Sequence, residues 1–226
     1  SNRPFRLWND GGKEYTADAV IISTGAKAKL LNMPSEQKYW GRGISACATC
    51  DGFFYRGKHV AVVGGGDTAL EEANYLTNMT ASVTLIHRRQ EFRASQIMVD
   101  RIKANPKINL VLDSVVDEFL GETVNNFPSL TNVRVKNVQT GETQDIPVEG
   151  CFIAIGHKPN TEIFAGIINL DEEGYIITEG KSSYTNIPGV FACGDVQDHT
   201  YRQAITAAGS GCAAAIDTER WLMANS

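Results

Sequence analysis

Short apolar runs alternate with polar turns along most of the chain, and their spacing predicts an α/β protein. Residues 5–8 read as a strand, and Asn9-Asp10-Gly11-Gly12 as a hairpin turn after it. A lone hairpin is marginal in water, so this segment expects a sheet to pack on. Residues 17–26 form an apolar, β-rich run ending in small residues, the pattern of a buried parallel strand at its carboxyl end. The stretch from Leu31 to Glu36 reads as a linker. In it Pro34 disfavours helix before it, and Ser35 is placed to cap a short helix after it.

The clearest block follows. Residues 59–63 predict a strand, Gly64-Gly65-Gly66 a turn, 67–78 an amphipathic helix, 82–86 a second strand, and 90–103 a polar helix. Strand, helix, strand in so short a span is a βαβ unit, which implies a parallel sheet and a right-handed crossover. Residues 108–112 predict a third strand. Alternation over 115–148, with turns at Asn125-Asn126 and Thr140-Gly141, predicts an antiparallel excursion. Residues 150–156 close the block with another buried strand, and a boundary is expected at 156–160. Beyond it, 174–177 and 189–192 read as strands and 203–224 as a long helix. The middle therefore reads as a complete nucleotide domain inserted between two pieces of another fold.

The composition fits this picture. At 226 residues, 42% of them apolar and 21% charged, the chain can bury a core as one large domain or two modest ones. A net charge of −5 without a Lys/Arg run leaves no footprint for nucleic acid. No apolar stretch is long enough to span a bilayer, and no signal-peptide core stands at the start. Five unevenly spaced cysteines do not make a secreted disulfide framework, so a cytosolic setting is expected. There a close cysteine pair points to catalysis or metal. The chain opens on Ser1-Asn2 without a methionine, as a trimmed or proteolysed polypeptide would.

Four constellations carry chemistry. Gly64-x-Gly66-x-x-Ala69 between strand and helix lets the backbone approach a pyrophosphate, whose charge meets the helix N-terminus. At the tip of the second strand, where NAD-type units place a carboxylate on the ribose, stand His87-Arg88-Arg89, with Arg93 beyond. Guanidinium groups there suit a 2′-phosphate and hence NADPH; the bland reading is a solvated basic helix start, which the helix dipole opposes. Cys47-Ala48-Thr49-Cys50 is a pair suited to a reversible disulfide or to half a zinc site, but no second ligand pair at finger spacing accompanies it. Asp51 next to it is a candidate proton donor or a turn residue. Cys151, Cys193 and Cys212 sit in apolar or small-residue runs, where a buried thiol is the expectation. Gly194-Asp195, followed by Tyr201-Arg202-Gln203-Ala204, offers backbone N–H groups and a carboxylate to a polyol or a flavin edge, or is an ordinary strand–loop–helix connection.

Taken in order, these motifs resemble the low-molecular-weight thioredoxin reductases of bacterial and plant type. The likeness rests on residues 45–52, Gly64 to Ala69, His87-Arg88-Arg89 with Phe92-Arg93, and Gly194-Asp195 with Arg202-Gln203-Ala204. It implies a flavoprotein with two dinucleotide-binding domains: a Rossmann-like NADPH domain over 35–156, inserted in an FAD domain over 1–34 and 157–226. It implies that electrons pass from NADPH through FAD to a Cys47–Cys50 disulfide and on to thioredoxin. Cys50 would face the flavin, Cys47 would attack the partner, and Asp51 would be the acid. Gly64, Gly66, Asp67, Thr68, Ala69, His87, Arg88, Arg89, Arg93, Ile155 and Gly156 are the implied NADPH residues. Gly25, Gly194, Asp195, Arg202, Gln203 and Ala204 are the implied FAD residues. A homodimer is also implied, with no membrane or nucleic-acid partner. The family's N-terminal glycine fingerprint for FAD is absent from these 226 residues, so the chain alone is expected to hold FAD weakly and to be inactive. The alternatives are an NADP-binding regulatory module and a related reductase serving a peroxiredoxin, for which an acidic strand tip would be expected.

Overall fold

The computed structural model describes residues 3–225; Ser1, Asn2 and Ser226 lie outside them, and with them the expectation about the chain's first residues. The chain begins with β1 (Phe5–Trp8) and β2 (Glu14–Ala17), an antiparallel hairpin, then β3 (Val20–Ile22) and β4 (Ala26–Ala28). The expected strand over 17–26 is thus only three residues long, and Ile21 on it is exposed. Next come α1 (Pro34–Tyr39), β5 (Ile44–Ser45), α2 (Ala48–Asp51), β6 (His59–Val63), α3 (Asp67–Leu76) and β7 (Ser82–Ile86). They are followed by α4 (Gln96–Ala104), β8 (Ile108–Val111), β9 (Ser114–Val124), β10 (Phe127–Asn137), β11 (Thr143–Pro147) and β12 (Gly150–Ile153). The chain ends with β13 (His157–Pro159), β14 (Val190–Ala192) and α5 (Ala204–Asn225).

Two compact units result, one over residues 28–156 and one made of the residues on either side. The first crossing thus falls earlier than position 34. In the central unit β5, β12, β6, β7 and β8 form one parallel sheet in that order. Its strands are apolar on both faces because both are covered. Val60 and Val62 point to the face packed by Leu70, Ala73 and Leu76 of α3 and by Val99 and Ile102 of α4. Ala61 and Val63 point to the other, where Phe119, Leu130, Val133 and Val135 of the β9–β10–β11 meander lie. Each large side chain so buried contributes about 1.5–3 kcal/mol over an exposed position. Asn125 and Asn126, at φ 51° and 65°, make the tight turn of the β9–β10 hairpin.

The linker is held by a buried carboxylate. Glu36 accepts the N–H groups of Leu31 and Asn32 at 3.0 and 2.8 Å. Ser35 does not cap α1. Pro34 is itself the first helical residue, as its fixed φ allows, and the Ser35 hydroxyl accepts the Phe119 N–H instead.

In the flanking unit β3 pairs with β14 in parallel around a small core of Ile22, Ile168, Ile176, Val190, Ala192 and Val196. Residues 174–177 form no strand. Ile176 bridges only Leu170 and spends its N–H on the Val196 carbonyl, so the apolar run has no ladder to join. Cys151 and Cys193 are buried, but Cys212 is exposed, because the face of α5 that carries it is uncovered among the described residues. Among the described residues no helix is long and apolar enough to cross a membrane.

Candidate functional site

Strand β6 delivers the chain to Gly64 at the carboxyl edge of the parallel sheet, the edge where ligands bind in open α/β folds. A Cβ on Gly64 would strike the Ala154 carbonyl and the Ala69 side chain; one on Gly65 would strike the His87 ring. Only glycine permits such close passage. Gly66 then starts α3 with no side-chain cap, so the first-turn N–H groups and the positive end of the dipole face outward for an anion.

These residues open on a cavity of about 750 Å³, within the size range of small-molecule sites. Gly64, Gly66, Thr68, Ile155 and Gly156 line one part of it, and His87, Arg88 and Arg93 another. Asp67, Ala69 and Arg89 do not line it. Ala69 is fully buried and packs against Gly64, which is how it serves the turn.

The arginines do not stand on a helix. The expected helix over 90–103 begins only at Gln96, so Arg88, Arg89 and Arg93 ride an exposed loop and the dipole argument does not apply to them. Tertiary bonds hold that loop out of helix. Arg93 N–H donates to the Gly65 carbonyl at 2.7 Å, Ser95 N–H donates to Asp67 Oδ1 at 2.9 Å, and the Gln90 amide bonds Asp113. None of the three guanidinium groups makes a salt bridge among the described residues.

His87 differs from them. Its ring is buried, stacked on Phe92 at 5.2 Å, and its Nε2 lies 3.1 Å from the Glu91 carbonyl. Burial, with the positive fields of Arg88 and Arg89, pushes its pKa below the ordinary 6.5, against the backbone hydrogen bonds that favour the charged form. It is a wedge under Gly65 more than a cation.

The cysteine pair lies in the same unit. Cys47 and Cys50 form a disulfide, with Cα atoms 5.3 Å apart. Cys47 is the N-cap of the single-turn α2, and its Sγ accepts the Cys50 N–H at 3.2 Å and lies 3.3 Å from the Thr49 hydroxyl. Asp51 accepts the Ser45 hydroxyl at 2.6 Å, and the same Ser45 oxygen accepts the Cys47 N–H at 3.1 Å. Ser45 belongs to the motif of residues 45–52, but this role was not foreseen, although a serine hydroxyl can accept the backbone N–H two residues on. Also unforeseen, Phe53 and Phe54 stand exposed directly after this turn, at 68% and 70%. His59, the histidine nearest the pair in sequence, bonds Ser82 at 2.7 Å. Among the described residues no cluster of side chains could hold a metal ion.

The residues expected at a flavin gather in the flanking unit. Gly25 and Gly194 adopt positive φ at the carboxyl ends of β3 and β14, and Asp195 follows on a short 3-10 turn. The buried Asp195 Oδ1 has no hydrogen-bond partner among the described residues, an acceptor left open for a donor from outside the protein. Asp198, not foreseen, shapes the next turn by accepting the N–H groups of Thr200, Tyr201 and Arg202 and the Thr206 hydroxyl. Burial would raise its pKa, but these donors outweigh burial and hold it low. Arg202 sits at φ 48° in that turn, and Gln203 and Ala204 lead into α5.

Comparison with known proteins agrees with this geometry. The pyridine nucleotide-disulphide oxidoreductase pattern matches residues 3–211. The chain is 52% identical over 222 residues to a thioredoxin reductase of Rickettsia felis, covering 98% of this chain and 71% of that protein. It is 53% identical over 229 residues to that of Vibrio cholerae, covering 98% and 70%. Among solved structures, thioredoxin reductase from Giardia duodenalis superposes with a TM-score of 0.90 at 43% identity, over 99% of this chain and 72% of that one. The Streptococcus pyogenes enzyme gives 0.87 at 43%, over 94% and 68%. The chain belongs to the thioredoxin reductases, within the pyridine nucleotide-disulphide oxidoreductase family.

Proposed function

We propose that this chain is a thioredoxin-disulfide reductase that takes electrons from NADPH, by way of FAD, to the Cys47–Cys50 disulfide and then to thioredoxin. One observation carries the reading: a bonded cysteine pair shares a compact unit with a glycine-turn cavity rimmed by guanidinium groups that no carboxylate among the described residues neutralises. In this reading residues 28–156 are the NADPH domain and the flanking residues belong to the FAD domain.

The pyrophosphate would sit on the Gly64–Gly66 turn and the first N–H groups of α3, with the 2′-phosphate between Arg88 and Arg93. Asp195, with its open acceptor, and the turn through Arg202, Gln203 and Ala204 fit FAD, which when bound relays the hydride's electrons to the disulfide. Two electrons and a proton convert Cys47–Cys50 to a thiol and a thiolate. The hydrogen bonds from Cys50 N–H and Thr49 onto Cys47 Sγ favour the thiolate there. Cys47 then attacks the thioredoxin disulfide, and a mixed disulfide forms as one thioredoxin sulfur leaves and takes up a proton. Cys50 next attacks Cys47, which re-forms the internal bond and releases the second thioredoxin sulfur. Asp51, next to Cys50 in sequence, is the candidate to hold the proton exchanged in these steps. The exposed Phe53 and Phe54 give a partner an apolar foothold next to Cys50.

Three free cysteines and one reversible pair suit the reducing cytoplasm. Assembly as a homodimer is proposed on the resemblance alone.

The test uses an FAD-loaded polypeptide in which these 226 residues are joined to the N-terminal FAD-binding segment of the family, because the chain alone is expected to hold FAD weakly. Cys50→Ser is expected to abolish NADPH-driven thioredoxin reduction while leaving flavin bleaching by NADPH intact. Unchanged thioredoxin turnover would end the disulfide relay.

A further inference from the structure

A carboxylate at the first position of a phosphate-binding helix needs a reason, since facing the ligand it would repel the charge that the helix attracts. Asp67 occupies that position, but it does not line the cavity. Its Oδ1 accepts the backbone N–H of Ser95. Ser95 is where the arginine loop ends, as the N-cap of α4, and its own side chain makes no capping bond. The loop is thus held to the glycine turn at two neighbouring points, Arg93 N–H on the Gly65 carbonyl and Ser95 N–H on Asp67. Arg88, Arg89 and Arg93 are exposed, and fixing their backbone in advance removes ordering cost from anion binding.

We propose that Asp67 is a positioning residue for coenzyme choice: by holding Ser95 it sets the arginine loop where guanidinium groups meet a 2′-phosphate, and so favours NADP over NAD. The inference rests on the arginine reading given above. It leaves the shared part of the dinucleotide, on the glycine turn, to other groups.

The experiment is calorimetric titration of the 226-residue chain with NADP+ and with NAD+, which needs no flavin and no turnover. Asp67→Ala should weaken NADP+ about tenfold, equivalent to about 1.4 kcal/mol, and leave NAD+ within about twofold. Asp67→Asn keeps an acceptor oxygen and should stay within about threefold of wild type for both ligands. Ser95→Pro removes the donor at a residue whose φ of −59° suits proline, so it should reproduce the Asp67→Ala pattern. The double variant should then be no worse than either single one. Equal losses for both dinucleotides, an undiminished preference in Asp67→Ala, or additive losses in the double variant would overturn the proposal. A wild-type chain without preference would instead remove the arginine reading beneath it, and the two failures are told apart by that control.

Discussion

Ser45 has two obligations that meet in one oxygen. It donates to Asp51 and accepts from the Cys47 backbone, so it ties the candidate acid to the residue that opens the redox turn. Ser45→Ala should therefore slow thioredoxin reduction about ten- to a hundredfold, since a hydrogen bond to a charged group is worth about 1.5–3 kcal/mol. NADP+ affinity should not change, and Ser45→Thr should recover most of the rate. A loss of NADP+ binding in step with the rate would point to a damaged fold instead. His87 makes a second residue-scale case. Its pKa lies below 6.5 in the fold, so the unfolded chain takes up a proton first as pH falls. The neutral ring's contribution is complete above pH 6.5 and is lost as pH drops from there through the folded value. Wild-type denaturation midpoints should thus decline more steeply with acid than those of His87→Gln. Parallel declines would show that the ring is not held neutral.

The element that sets the site is the turn from β6 to α3, and its tolerance is narrow. A methyl group on Gly65 would enter the His87 ring, which cannot retreat because Phe92 stacks on it and the Glu91 carbonyl holds Nε2. Gly65→Ala should cost about 1–3 kcal/mol by overpacking, read from denaturant midpoints. His87→Ala added to it should cost less than the sum of the two, because the collision is then gone. The turn and the strand before it were legible in the sequence because an apolar run ends on glycines that only a tight βα connection requires. The start of α4 was not. Gln90 to Ser95 have ordinary helix propensity, and they stay out of helix because Gln90, Arg93 and Ser95 are bonded to Asp113, Gly65 and Asp67, all far away in sequence. The same holds for Ile176 and Ile177, whose β propensity found no strand to pair with. Asp67 was legible as a residue of the motif but not as a partner of Ser95, since no spacing rule links the two.

At the scale of the whole molecule, the inserted middle was readable because the chain changes period twice, from short strands to a βαβ block and back. Burial of small thiols was less so: Cys212 lies in a small-residue run like a core cysteine yet is exposed, because small residues do not declare which helix face is covered. The three free thiols report on the two units separately. Cys151 is wholly buried in the central unit, Cys193 is buried in the flanking one, and burial pushes both thiols above their ordinary pKa. Neither reacts until its unit opens, whereas Cys212 on α5 is accessible at once. A ligand that binds only the folded central unit multiplies its protection by one plus the ratio of concentration to Kd. At a hundred times Kd, NADP+ should therefore slow thiol labelling of Cys151 about a hundredfold. Cys193 and Cys212 should label at their unliganded rates. NAD+ at the same concentration should slow Cys151 far less, because it lacks the 2′-phosphate proposed to meet Arg88 and Arg93. Equal slowing of Cys151 and Cys193 by NADP+ would mean that the two units open together, and slowing of Cys193 alone would put the nucleotide in the other unit.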